Sequence, residues 1–205
     1  MVAPGDDFPA RQEHRPGRAA AVSSHPAQAA GALLEDRRAS LALRSFAAGV
    51  FGIAFLWPSI SDIAVIRLFA AYAFVDGVLA LASGGWGASY RLGWPLLIGG
   101  CVGLVGAGAV YLSPAISLPM LIDVATLWAI GIGLAFTAAA ATLRESDGDQ
   151  LFLLSAIASL VFGRALLSQI PIDTIVLSAW LGLYTLTMAV LLLKLTLKHY
   201  RLMLL

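Results

Sequence analysis

Four charged residues lie inside long apolar stretches of the chain: Arg67, Asp76, Asp123 and Arg164. A charge within a lipid bilayer costs about 2.5–3.5 kcal/mol on insertion scales, so such a residue usually faces other protein groups and pairs with one of them. Arginine and aspartate in this setting form interhelical ion pairs or line a path for protons or solutes. These four residues are therefore the candidate functional residues.

Asp76 is the deepest of the four. At about 1.5 Å per helical residue it lies roughly 20 Å from the helix end that follows Pro58, just past the middle of a bilayer. Arg44 and Arg91, on the other side of the membrane from that proline, are its candidate partners. The alternative is that the carboxyl group carries a proton. Because it has no counterpart in the other repeats described below, Asp76 is the strongest candidate for a functional role.

Three prolines mark an internal repeat. Pro58, Pro114 and Pro171 follow one another at intervals of 56 and 57 residues, and each begins a short turn after an apolar span. Such periodicity indicates one supersecondary unit that is used several times. The same spacing places Arg67 and Asp123 at equivalent positions of two units, both about 6 Å deep. We therefore predict that Arg67 and Asp123 pair, with Arg164 available to extend the network.

The repeat consists of apolar spans that are long enough to cross a membrane as helices. The six spans cover approximately residues 41–57, 63–82, 92–112, 119–142, 151–170 and 174–196. A transmembrane helix needs about 20 apolar residues, and only 12% of this chain is charged, against about 25% in soluble domains. The predicted fold of residues 41–205 is an all-α membrane protein with six transmembrane helices, arranged as three parallel-repeat hairpins.

Residues 1–40 are predicted to be a disordered cytoplasmic tail, because they contain four prolines and no apolar run that could form a core. With six spans, the basic residues of the loops and of both ends fall on one side of the membrane. The positive-inside rule makes that side cytoplasmic. Both termini are therefore predicted to lie in the cytoplasm.

The sequence gives little support to catalysis. No histidine lies in a span, Cys101 is the single cysteine, and the acidic loop with Glu145, Asp147 and Asp149 is typical of a solvated turn rather than a metal site. We predict no catalytic residue, no metal and no cofactor. The expected partners are the lipid bilayer and, as an option, further copies of the chain; nucleic acid is not expected.

One set of motifs resembles a known family. These motifs are Gly49-x-x-Gly52 before Trp57-Pro58, then Leu68-Phe69-Ala-Ala-Tyr72-Ala-Phe-Val-Asp76-Gly77, and then Trp94 with a glycine-rich span. The pattern resembles the HdeD family of short bacterial inner-membrane proteins. The resemblance implies six helices built from repeated hairpins, a place in the inner membrane and an association with acid resistance. It implies no catalytic or binding residues.

Three functions follow from these observations. The first is a non-enzymatic membrane protein of stress tolerance, acid stress in particular. The second is a small transporter or a proton or ion conduit that uses the intramembrane arginines and aspartates. The third, a membrane-embedded enzyme, has the least support. A polar, water-accessible central cavity would favour transport, whereas a tight bundle with paired charges would favour a structural role for the charges.

Overall fold

The structure is a computed structural model that describes residues 24–58, 60–85, 90–113, 116–142, 149–168 and 173–201. Side chains are described within these ranges except at 24–38, 90–92, 149 and 198–201. The described chain forms the helices α1 (Ser24–Phe55), α2 (Asp62–Gly85), α3 (Tyr90–Tyr111), α4 (Leu118–Thr142), α5 (Asp149–Leu167) and α6 (Thr174–Arg201). Pro114, Pro171 and the acidic loop around Glu145 lie outside the described residues.

Helix α1 begins at Ser24, well before the boundary at residue 40 that the sequence predicts. Pro26 lies in its first turn, where a proline is tolerated because the missing N–H has no helical acceptor there. Residues 24–40 are thus part of a helix, and residues 1–23 lie outside the described residues. The division of the chain into a tail and a membrane domain stays a prediction.

Five helices, α2 to α6, contain apolar segments long enough to cross a membrane, and the chain is a multi-pass membrane protein by helix length and hydropathy. The apolar part of α1, Ala39–Phe55, is shorter. Every helix exposes large apolar side chains; Phe46, Val105, Leu127 and Leu183 are each more than 60% exposed. In water such a surface would be unstable, whereas lipid chains solvate it.

The six helices form a ring. Consecutive helices lie side by side, and α6 packs against α1 to close the ring. The most extensive contacts join α2 with α3, α4 with α5 and α1 with α6. The contacts within the predicted hairpins, α1 with α2, α3 with α4 and α5 with α6, are less extensive. The description of the fold as three parallel repeats stays a prediction from the sequence.

Glycines permit the closest of these contacts. Where α2 crosses α3, a Cβ atom on Gly103 would lie 2.8 Å from the Cα of Gly77, and one on Gly77 would lie 2.9 Å from the backbone nitrogen of Leu104. Backbone atoms cannot move aside for a methyl group. In the contact between α1 and α6, a Cβ atom on Gly52 would lie 2.7 Å from the Cγ of Leu186 and 2.9 Å from the Oγ1 of Thr185. These faces let the helix backbones approach each other.

The centre of the ring is filled by aromatic side chains from α2, α4 and α6. The ring of Trp128 lies edge-on to Phe69, Tyr72 and Tyr184, with centroid separations of 5.5, 5.7 and 5.8 Å. Phe162 on α5 stacks on the ring of Tyr184, with the two centroids 4.4 Å apart. Edge-to-face and offset stacking are favoured arrangements of aromatic pairs. The middle of the bundle is therefore a packed core.

Candidate functional site

A buried ion pair joins α1 and α2. Arg44 Nε donates to Oδ1 of Asp76 at 2.9 Å, and Arg44 Nη2 lies 2.8 Å from the same oxygen. The two side chains are 3% and 8% exposed. It is the only ion pair within the part of the chain that the structure describes. The structure thus selects Arg44 from the two partners that the sequence offers for Asp76; the side chain of Arg91 lies outside the described residues.

The position of Arg44 follows from the packing of α1. Arg44, Ala48 and Phe55 are all buried and recur at helical spacing, so they share the face that α1 turns toward the bundle. Asp76 belongs to the corresponding buried face of α2, one turn after Tyr72. The two faces meet in the half of the membrane away from Pro58. A charge at this position is tolerated because an opposite charge on the neighbouring helix neutralises it.

Other side chains support the pair. The Arg44 guanidinium lies 6.0 Å from the centre of the Phe136 ring on α4, at the limit of a cation–π contact. Farther along the same helix boundary, Ser40 donates to the carbonyl oxygen of Leu79 at 3.2 Å, and its hydroxyl also contacts that of Ser83. These hydroxyl groups tie α1 to α2 close to the ion pair.

One polar atom of the pair lacks a partner. Arg44 Nη1 is buried and forms no hydrogen bond with any described atom of the chain. A cavity of about 10 Å³ lies beside it, lined by Arg44, Ala80, Pro95, Leu96, Gly99, Ile132, Ala135 and Phe136. The cavity therefore has walls from α1, α2, α3 and α4. It is lined mainly by apolar groups, with Arg44 as the charged exception.

The predicted pairing of Arg67 with Asp123 is wrong. Both side chains are exposed, and neither takes part in an ion pair within the described part of the chain. Arg67 shares its face of α2 with Phe74 and Val78, which are 55% and 42% exposed. The face that packs in the bundle carries Val65 instead, which is fully buried. Depth in the membrane and position in the repeat match, but the two side chains face outward.

Arg164 is exposed as well, near the end of α5, and forms no ion pair with Arg67 or Asp123 within the described part of the chain, so the predicted extension of that network is not seen. Arg67 lies within two turns of the start of α2, and Asp123 within two turns of the start of α4. Since side chains tilt toward the start of their helix, these two can reach the membrane surface. Of the four candidate residues, only Asp76 belongs to a buried site.

This arrangement predicts that Arg67 and Asp123 act independently. We expect the loss of folding stability in Arg67→Asp with Asp123→Arg to equal the sum of the two single losses, because the side chains share no partner. Thermal unfolding of the three variants in detergent micelles measures the coupling. If the double variant lost clearly less stability than the sum of the two single losses, that result would contradict the outward placement.

Comparison of the chain with protein-family models, with curated proteins and with solved structures finds no match. Among the described residues, no group of three or more histidine, cysteine, aspartate or glutamate side chains is placed to hold a metal ion.

Proposed function

We propose that the chain is a non-enzymatic protein of the bacterial inner membrane that resembles the HdeD family and contributes to tolerance of acid stress. The observation that carries the proposal is the Arg44–Asp76 ion pair, which lies buried between two helices of a membrane-embedded bundle. Ionisable residues in such a position are costly, and they commonly mark a functional site. The pair is accordingly the centre at which the protein responds to acid.

The surroundings of the pair favour a local response. Within the described part of the chain, Arg44 on α1 is the charged group in contact with the Asp76 carboxylate. Protonation of Asp76 would remove the counter-charge of Arg44 and weaken the contact between α1 and α2. A change at this helix boundary can alter how the bundle packs or what it presents to a partner.

The proposed orientation places both termini in the cytoplasm, with α1 as the sixth membrane span. Its contact with α6 supports this assignment. Ser45 on α1 donates to the carbonyl oxygen of Ala189 at 2.8 Å, and Ser178 on α6 donates to the carbonyl oxygen of Phe55. Because these contacts lie about ten residues apart on each helix, α1 follows α6 over roughly 15 Å.

A proton or ion conduit is the second candidate function. The cavity beside Arg44 favours a conduit, since a charged group lines this cavity. The aromatic core around Trp128 argues against it, because that core fills the middle of the ring. The outward placement of Arg67, Asp123 and Arg164 also leaves Asp76 as the one member of the predicted set near the interior.

The experiment compares Asp76→Asn with Asp123→Asn in cells that depend on the protein for survival at low pH. Asparagine keeps an oxygen that can accept from Arg44, so we expect Asp76→Asn to insert and fold yet to abolish protection. Asp123→Asn removes an exposed acid from the surface and should protect like the wild type. Both variants must reach wild-type amounts in the membrane, which immunoblotting of membrane fractions measures.

Proton flux into proteoliposomes across a pH step separates the two candidates. Protection without flux supports the stress-tolerance proposal, whereas flux that depends on Asp76 supports the conduit. Full protection by Asp76→Asn at wild-type abundance would refute the assigned role of this residue.

A further inference from the structure

We propose that the cavity beside Arg44 is a binding site for a single water molecule, which accepts a hydrogen bond from Arg44 Nη1. This inference concerns the hydration of the ion pair and holds whether or not the protein acts in stress tolerance. Two independent observations meet here: a buried donor without a protein partner and a cavity that the same side chain lines.

The energetics of the donor favour occupation by water. A buried polar group that forms no hydrogen bond is strongly destabilising, and one that belongs to a charged group is more so. The guanidinium already uses Nε and Nη2 for Asp76, which leaves Nη1 as the nitrogen that is directed elsewhere. A water molecule can satisfy it without a second charge.

The size of the cavity sets the class of ligand. About 10 Å³ is the volume that accommodates the centre of one water molecule. A larger anion or an organic solute would not fit. An anion would also be attracted only weakly, because the carboxylate of Asp76 already neutralises the charge of Arg44 at close range.

A buried water usually needs two to four polar partners. Arg44 Nη1 is one of them. Pro95, a wall of the cavity, offers a second: it has no N–H, so the backbone carbonyl one turn earlier in α3 lacks its usual helical donor. The chemistry around the cavity is thus adequate for one ordered water.

Glycines of α3 provide a matched test. A Cβ atom on Gly99 would lie 3.4 Å from the Cβ of Ala135 and 3.8 Å from the Cδ1 of Ile132, two walls of the cavity, so Gly99→Ala adds a methyl group without a backbone clash. A Cβ atom on Gly108 would have no neighbour within 4 Å, so Gly108→Ala reports only the change in helix propensity.

Filling a dry cavity raises the stability of the fold, whereas displacing a bound water lowers it. A dry apolar cavity gains contacts from the methyl group, so Gly99→Ala would then be at least as stable as Gly108→Ala. A displaced water leaves Nη1 unsatisfied, so we expect the folded-to-unfolded ratio of Gly99→Ala to fall about tenfold below that of Gly108→Ala. Gly99→Ser, compared with Gly108→Ser, should recover most of this loss because its hydroxyl can replace the water.

Unfolding of these four variants in mixed micelles measures the ratios. Equal or greater stability of Gly99→Ala relative to Gly108→Ala would overturn the inference. An independent measurement uses arginine-labelled wild-type protein, in which a rotating-frame Overhauser cross-peak between water and the Arg44 guanidinium is expected. The absence of that cross-peak would also overturn the inference, including in the case where the Gly99 variants do not fold.

Discussion

Asp76→Leu is expected to lower the free energy of unfolding by about 3–5 kcal/mol, because it leaves the Arg44 guanidinium buried without a counter-charge. Both contacts of that guanidinium with Asp76 are lost, and leucine offers no acceptor in exchange. This loss of stability arises mainly because a charged guanidinium stays buried without a partner, and less because the ion pair itself stabilises the fold. Unfolding in micelles that contain increasing fractions of a denaturing detergent measures the loss.

The double variant Arg44→Met with Asp76→Leu should recover most of that stability. Buried ion pairs are often replaced by apolar residues of similar size at little cost. Asp123→Leu is the matched control, since it removes an exposed acid and should change stability little. If the double variant were as unstable as Asp76→Leu alone, the two side chains would not be coupled in the way that their geometry indicates.

Trp128→Ala is expected to lower the free energy of unfolding by about 3 kcal/mol, at the low end of values for large core aromatics. The side chain is 2% exposed and contacts three aromatic rings on two other helices. In a membrane the transfer term is small, because lipid is as apolar as the core, but the lost packing contacts remain. Thermal unfolding in micelles measures the change.

Trp180→Ala is the control for this variant. Trp180 is 44% exposed on the surface of α6 and belongs to none of the aromatic pairs around Trp128. We expect Trp180→Ala to lower the free energy of unfolding by well under half as much as Trp128→Ala does. Equal losses in the two variants would mean that the aromatic core does not determine the stability of the bundle.

The predicted spans agree with α2 to α6 within a few residues, and they could be predicted because the signal is local. Backbone N–H and C=O groups in lipid must form their hydrogen bonds within the segment. A sufficiently long apolar segment therefore forms an α-helix. At Arg44, by contrast, a charge interrupts the apolar pattern, and the apolar part of α1 is shorter than a full span.

The helices α2 to α6, the charges within them and the position of Asp76 beyond the middle of α2 could all be predicted from the sequence. The pairing of Asp76 with Arg44 and the outward placement of Arg67 and Asp123 could be seen only once the helices were packed together. Depth follows from a residue's distance along one helix, whereas a contact also depends on the rotation of each helix about its axis. That rotation is set by the packing of six helices together, including α1 against α6, which lie at opposite ends of the chain.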